Sequence, residues 1–196
     1  MIGAVNAFAN TIAEASFTLT IVIILYLAFV PLTRYMSKKT FSHVDKAGNP
    51  AMVDVSGKPV TRRTARARAT VVPGKEIIDK IVNNELITRK GPVFQTAIIA
   101  GVMGAKQTSS LIPFCHPIGL DNCQVRIHVE GDRIVIDSEA VVESKTGVEM
   151  EALTAATIAA LTVYDMCKAL SHNIRIEEIR LLEKTGCKSD FKRDNP

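Results

Sequence analysis

An alternating pattern of polar and apolar residues begins the part of the chain that is typical of a folded domain. From Val60 to Val72, the segment VTRRTARARATVV places different side chains on its two faces. Thr64, Arg66, Arg68, Thr70 and Val72 form one face, and the other is formed by Arg63, Ala65, Ala67, Ala69 and Val71. Period two with β-branched ends predicts a strand whose arginine face meets water or an anion.

Two helical patterns follow this strand. The segment KEIIDKIVNNEL predicts a short amphipathic helix, because its apolar residues recur at helical spacing: Ile77, Ile78, Ile81, Val82 and Leu86. The segment GPVFQTAIIAGVMGAKQTSSLIP predicts a second, well-buried helix with Pro92 in its first turn. Its small residues permit close approach of another backbone: Ala97, Ala100, Gly101, Gly104 and Ala105.

A hairpin, a long helix and a last strand complete the pattern. DNCQVRIHVE alternates, Gly131 and Asp132 turn the chain, and RIVIDSEAVV returns. A long helix is predicted over residues 147–170. The last strand has a step between its apolar residues that fits a bulge, and these residues are Ile174, Ile176, Ile179 and Leu181. The order of strand, helices, strand, strand, helix and strand predicts an α+β, ferredoxin-like fold, an antiparallel sheet with helices packed on one face.

The first 35 residues do not share this pattern. Nineteen uncharged residues lie between Glu14 and Arg34, close to the lower length for a membrane-spanning helix. Two interpretations remain open. Residues 15–33 are an anchor that keeps the following domain in the cytoplasm, or the true start is Met36 and the extension is misassigned. We therefore divide the chain into an extension, residues 1–35, and a domain, residues 36–196.

Composition restricts the class of protein without choosing a function. The chain has 196 residues, of which 22% are charged and 47% hydrophobic, and its net charge is +4. This balance is globular, and the charge suits an anionic small molecule but is too weak to indicate a nucleic-acid partner. Four cysteines match no C-x-x-C pattern, so we expect reduced thiols in a cytoplasmic protein.

The long helix confines its charges to one polar stripe. On a helical wheel the stripe consists of Glu151, Thr154, Ile158, Leu161, Thr162, Asp165 and Lys168. The remaining faces carry no charge from Ala152 to Leu170, which predicts a helix covered on most sides. Asp165 and Lys168 therefore either line a cleft, as an acid/base pair, or form an exposed salt bridge three residues apart. The residues alone leave both interpretations open.

Two further features carry candidate chemistry. In IPFCHPIG, prolines fix the backbone around Cys115 and His116, so the imidazole could bond a phosphate, donate a proton or pack in a turn. A metal site is disfavoured, because no second ligand has a suitable spacing. Lys90 and Lys145 precede predicted helix starts, where a phosphate would bind, although a charged rim that aids solubility is the alternative.

Four segments of the chain are MVDVSGKPVTRRTARARA, KGPVFQTAIIAGVMGAKQTSSLIPFCHPIGL, KTGVEMEALTAATIAALTVYDMCKAL and IRLLEKTGCKSDF. Together they resemble one family, the cyclic pyranopterin monophosphate synthases (MoaC) of molybdenum cofactor biosynthesis. The likeness runs from His43 to Phe191, in the order the family has, whereas residues 1–35 have no counterpart.

The resemblance implies a lyase that converts 3′,8-cyclo-7,8-dihydroguanosine 5′-triphosphate to cyclic pyranopterin monophosphate and releases pyrophosphate. It implies acid/base catalysis without a redox cofactor, with Mg²⁺ beside the triphosphate left open. It also implies a hexamer built as a trimer of dimers, whose sites are shared between subunits, and no nucleic-acid partner. An RNA-recognition domain is the rival for this fold, but the strands QVRIHVE and NIRIEEIR lack the aromatic residues on which such domains stack bases.

Residue by residue, the resemblance assigns catalysis to Asp165, Lys168 and Lys90. It assigns substrate binding to a larger set: Phe114, Cys115, His116, Met150, Glu151, Glu149, Arg63, Arg66 and Lys184. Phe114 departs slightly from the family, where an aliphatic residue also occurs.

Overall fold

The computed structural model of the chain describes residues 43–45 and 47–194. The expectations for the extension at residues 1–35, the anchor at 15–33 and the start at Met36 fall outside these residues. Among the described residues, no helix is both long enough and apolar enough to cross a bilayer.

Seven strands and four helices make up the described fold. The strands are β1 (Thr61–Val72), β2 (Ile87–Thr88), β3 (Gly91–Pro92), β4 (Asn122–Glu130), β5 (Arg133–Ser144), β6 (Arg175–Thr185) and β7 (Phe191–Lys192). The helices are α1 (Lys75–Ile78), α2 (Val93–Lys106), α3 (Thr108–Leu111) and α4 (Glu149–Cys167).

The main sheet has five strands in the order β4-β5-β1-β6-β7, and each neighbouring pair is antiparallel. The long helices α2 and α4 pack against one another and against this sheet. The strand and helix order β1-α2-β4-β5-α4-β6 with these pairings is an α+β, ferredoxin-like arrangement, as the sequence pattern predicts.

The core lies between the helices and the inner face of the sheet. On β1 that face consists of small residues, and Ala65, Ala67, Ala69 and Val71 are fully buried. The alternation predicted for this strand is therefore confirmed. The small side chains leave room for α4, which is itself rich in buried alanines on the side facing the sheet.

Two glycines set the distance between α2 and α4. A Cβ on Gly101 would lie 2.9 Å from the carbonyl oxygen of Ala155, and one on Gly104 would lie 2.6 Å from Cγ1 of Ile158. Real Cβ atoms do not approach neighbours this closely, so α2 and α4 come this near only because both positions lack a side chain. This confirms the close approach predicted from the small residues of α2.

The short amphipathic helix predicted over residues 75–86 is mostly wrong. Only one helical turn, α1, forms, and the chain then turns through Asn83 (φ 52°) and Asn84 (φ 54°). Two consecutive residues in the left-handed region cannot continue a right-handed helix. The apolar residues of this segment instead enter the core at two separate points. Ile77 and Leu86 are buried, whereas Val82 between them is exposed.

The bulge predicted in the last strand is confirmed. The apolar face predicted for this strand is confirmed only in part. Thr70 pairs with Glu178 and Val71 pairs with Ile176, so Glu177 is the extra residue. Ile174 is buried, whereas Ile179 is exposed. The bulge shifts which side chains face inward, and a strictly alternating assignment therefore fails after it.

Candidate active site

Three charged side chains meet at the C-terminal end of α4. The ammonium group of Lys90 lies 2.6 Å from Oδ2 of Asp165, and that of Lys168 lies 2.8 Å from Oδ1 of the same carboxylate. Lys90 also donates to the backbone carbonyl of Asp165 at 3.1 Å. We call Lys90, Asp165 and Lys168 the catalytic cluster, because these are the residues to which the resemblance assigns catalysis.

The fold brings Lys90 to this end of α4 from far away in the sequence. Lys90 stands in the tight turn between β2 and β3, where its amide donates to Oγ1 of Thr88 and Gly91 adopts a φ of 109°. Asp165 lies in the last turn of α4, and Lys168 is the residue that caps that helix. All three side chains are roughly half exposed, at 52 to 55%. Within this chain they form an open ion cluster that contains the salt bridge between Asp165 and Lys168. The role of the pair as acid and base stays a prediction.

The two lysines fix the charge of Asp165. Hydrogen bonds from Lys168 first, and then from Lys90, lower the pKa of Asp165 to about 2. The same contact with Asp165 raises the pKa of Lys168. Near neutral pH the cluster is thus one carboxylate and two ammonium groups, with a net positive charge. This arrangement can bind an anionic group and deliver a proton from nitrogen, but Asp165 is a weak base there.

A second group of predicted residues lies at the opposite, N-terminal end of α4. Lys184 of β6 lies 3.0 Å from Oε1 of Glu149, and Nε of Arg63 donates to the carbonyl of Ser144 at 2.9 Å. Although it is charged, Arg63 is buried, because it lies on the helix-facing side of β1 beside the alanines. Met150, which follows Glu149 in the first turn of α4, is partly exposed.

Glu151 is the most unusual titratable group of this second region. Only 4% of the residue is exposed. Burial raises its pKa to about 7, and the nearby charge of Glu149 raises it as well. Glu151 is therefore poised between its protonated and ionised forms near neutral pH. Burial and the charge of Glu151 also raise the pKa of the neighbouring Cys115 thiol.

The loop FCHP meets the polar segment that precedes β1. The rings of Phe114 and His43 stack with centroids 6.4 Å apart, and Nε2 of His116 is 2.9 Å from the backbone carbonyl of Val53. In this chain His116 thus binds a backbone carbonyl. We call Phe114, Cys115, His116, Glu149, Met150, Glu151, Lys184 and Arg63 the substrate cluster, after the role that the resemblance assigns to them.

The catalytic and substrate clusters are far apart within one chain. From Glu151 to Asp165 there are fourteen residues of continuous helix, which at 1.5 Å per residue is about 21 Å. Both residues fall on one stripe of the helical wheel, but a wheel views the helix along its axis and hides this distance. A single copy of the chain does not bring the two clusters together.

Arg66 lies apart from both clusters. It projects from the face of the sheet opposite to the helices, where its guanidinium forms ion pairs with Glu139 and Glu183. A cavity of about 390 Å³ opens on that face and is lined by Arg66, Arg68 and Arg126 among others. It opens on the opposite face of the sheet from α4, which carries residues of both clusters, and this makes it a poor candidate for the main site.

Lys145, the cation that precedes a predicted helix start, lies near the substrate cluster. Its ammonium group donates to the backbone carbonyl of Ser56 at 2.8 Å. The carbonyls of Val53 and Ser56 lie in a polar loop, where no periodicity of the sequence indicates contacts with His116 and Lys145. Over the described residues, no three His, Cys, Asp or Glu side chains are grouped as ligands of a metal ion would be.

Comparison with known proteins places this arrangement in a family. A family model described as the MoaC family matches residues 52–187. The chain is 49% identical over 152 residues to cyclic pyranopterin monophosphate synthase of Xanthomonas oryzae pv. oryzae, which covers 76% of this chain and 92% of that protein. It is 51% identical over 156 residues to the mitochondrial protein of that name from Arabidopsis thaliana, covering 79% of this chain and 56% of that protein.

A longer relative matches over one part only. The chain is 50% identical over 157 residues to Molybdenum cofactor biosynthesis protein 1 of Drosophila melanogaster, and the match covers 79% of this chain and 27% of that protein. The chain thus spans about a quarter of that relative.

Proposed function

Because this chain belongs to the MoaC family, we propose that it is a cyclic pyranopterin monophosphate synthase of molybdenum cofactor biosynthesis. In this proposal it is a phosphorus–oxygen lyase that converts 3′,8-cyclo-7,8-dihydroguanosine 5′-triphosphate to cyclic pyranopterin monophosphate and releases pyrophosphate. Relatives at about half identity that carry this name support the proposal.

The observation that carries the proposal is the catalytic cluster. The reaction rearranges a purine ring and closes a cyclic phosphate, so it requires proton transfers and a stabilised anionic leaving group. Lys90 and Lys168 provide two ammonium groups within 2.8 Å of one carboxylate. Ammonium groups held in this way can donate protons and neutralise the charge of a departing pyrophosphate.

The pKa of Asp165 decides its role. With a pKa of about 2, the carboxylate stays ionised at neutral pH and has little tendency to take a proton from substrate. Asp165 therefore acts by holding the two lysine side chains in place, and its contact raises the pKa of Lys168. Lys168 and Lys90 are the groups that touch the substrate, as general acids and as contacts to phosphate.

The substrate cluster completes the site from a neighbouring copy of the chain. The two clusters are about 21 Å apart along α4, and acid/base groups act only within hydrogen-bonding reach. A homo-oligomer, a hexamer built as a trimer of dimers, would let the catalytic cluster of one subunit face the substrate cluster of the next. Such sharing requires a rotation axis that brings opposite ends of two α4 helices together.

Subunit complementation tests this sharing. Lys168→Ala and Glu151→Gln each disable one cluster, and each variant alone should be inactive. If the sites are shared, dissociating and reassociating an equal mixture of the two variants should restore activity. Half of the subunits carry an intact catalytic cluster and the other half an intact substrate cluster, so about one site in four should receive both. A mixture as inactive as its parents would show that each site is built within one chain.

The activity itself is tested by incubating the purified chain with the cyclic GTP derivative and detecting the oxidised pterin by fluorescence. We expect pterin and pyrophosphate to appear together in equal amounts. A folded protein that forms neither product would contradict the proposed function.

A further inference from the structure

Two backbone carbonyls of one short segment form hydrogen bonds with two side chains, His116 of the substrate cluster and the nearby Lys145. Nε2 of His116 is 2.9 Å from the carbonyl oxygen of Val53, and the ammonium group of Lys145 donates to the carbonyl oxygen of Ser56 at 2.8 Å. We call residues 53–56 the strap. The strap connects to this part of the site through acceptor atoms, as a phosphate would.

The strap is a turn that holds itself together. Oδ1 of Asp54 accepts from the amide of Ser56 at 2.8 Å and from its hydroxyl at 2.6 Å. The amide of Lys58 closes the turn by donating to the carbonyl of Val55 at 3.0 Å. None of the residues of the strap is buried. The strap can therefore leave the site without exposing core side chains, and once it is free, only its own exposed turn protects its amides.

Asp54 adds a negative charge to this contact. The hydrogen bonds from Ser56 lower its pKa first, and the charges of Lys145 and His116 lower it further. A carboxylate beside these two side chains means that the strap presents an anion together with two carbonyl oxygens. A phosphate group and the Asp54 carboxylate repel one another, so the carboxylate disfavours a phosphate at this place while the strap is bound.

We propose that Lys145 is a further phosphate-binding residue of this site, and that the strap is an internal occupant which an anionic ligand displaces. The proposal rests on the proposed function in taking a phosphate-bearing substrate. An ammonium group binds a phosphate oxygen more strongly than a neutral carbonyl, because both partners then carry a full charge. Lys145 thus gives up its hydrogen bond to the Ser56 carbonyl and binds a phosphate oxygen of the substrate instead. Substrate binding is therefore coupled to release of the strap.

Inorganic pyrophosphate tests the proposal without any turnover. Its affinity is measured by calorimetry, and hydrogen exchange of the amides in residues 51–58 is followed with and without it. We expect pyrophosphate to speed exchange in the strap, and Lys145→Gln to weaken binding about tenfold or more, the value of one charge-assisted hydrogen bond. Lys145→Gln should also speed strap exchange when no pyrophosphate is present.

Two further variants sharpen the result. Lys58→Gln removes an exposed lysine just beyond the strap and should bind pyrophosphate as the unaltered chain does. Asp54→Asn keeps a side chain that can accept from Ser56 but removes the competing charge, so it should bind pyrophosphate several-fold more tightly. Lys145→Arg keeps the charge and should retain most of the affinity.

Two results would overturn the proposal. One is strap exchange that is unchanged or slowed at saturating pyrophosphate, and the other is a Lys145→Gln variant that binds as tightly as Lys58→Gln. Failure of the proposed function is recognised separately. In that case pyrophosphate still releases the strap while the cyclic GTP derivative is not converted.

Discussion

The buried carboxyl group of Glu151 should make the stability of this protein depend on pH in a way that one substitution removes. The pKa of Glu151 is about 7 in the folded chain, against 4.5 for an ordinary glutamate. Below pH 4.5 both the folded and the unfolded chain carry the proton, and the group has no effect. Between pH 4.5 and 7 the unfolded chain loses its proton while the folded chain keeps it, so the free energy of unfolding falls as pH rises.

The size of this effect follows from the same two pKa values. Each pKa unit corresponds to 1.36 kcal/mol, so a rise from 4.5 to about 7 costs about 3 kcal/mol of stability once the pH exceeds 7. The cost is then constant, because both states are ionised. Glu151→Gln keeps the shape of the side chain and cannot ionise. The difference in free energy of unfolding, Glu151→Gln minus the unaltered chain, should therefore increase by up to about 3 kcal/mol between pH 4.5 and pH 8.

Urea unfolding at several pH values, at one protein concentration, measures this difference. The exposed Glu143 provides the matched control, and Glu143→Gln should follow the pH dependence of the unaltered chain. If Glu151→Gln also runs parallel to the unaltered chain, the carboxyl group of Glu151 is solvated, and the argument from burial is refuted.

Two other substitutions test the packing and the charge arrangement. Gly104→Ala should destabilise the chain by about 1 to 3 kcal/mol in urea unfolding, because its Cβ would overlap Ile158. Gly57→Ala, where a Cβ meets nothing within 4 Å, should change stability little, and equal effects of the two would contradict the close packing of the helices. Lys90→Ala should raise the pKa of Asp165, followed by NMR of its carboxyl carbon, and an unchanged pKa would show that the contact between these side chains does not form in solution.

The fold was predictable because its evidence is local. Alternation in β1 and in the β4–β5 hairpin, and helical spacing in α2 and α4, arise from residues that are close in sequence. The error over residues 75–86 has a physical reason. Ile77 and Leu86 enter the core from two sides of a turn, and their spacing imitates a helix that Asn83 and Asn84 interrupt.

The site was predictable in its residues but not in its geometry. The contact between Lys90 and Asp165 joins positions 75 residues apart, and no periodicity reports such a contact. On the helical wheel of α4, Glu151 and Asp165 fall on one face of the helix. The wheel carries no information about which other parts of the fold cover each end of α4. The buried environment of Glu151 comes from tertiary packing, so its shifted pKa could not be inferred from the stripe.

The central claim is that the catalytic cluster performs the chemistry, and single-turnover formation of pterin by Lys168→Ala tests it most directly. The matched control is Lys75→Ala, which removes an exposed lysine that pairs with Asp79 on the surface. With the cyclic GTP derivative in both assays, we predict that the control retains its rate. Lys168→Ala should lose about a hundredfold or more, the usual contribution of a general acid, while its circular dichroism is unchanged. A folded Lys168→Ala protein that forms pterin at nearly the rate of the control would contradict the account.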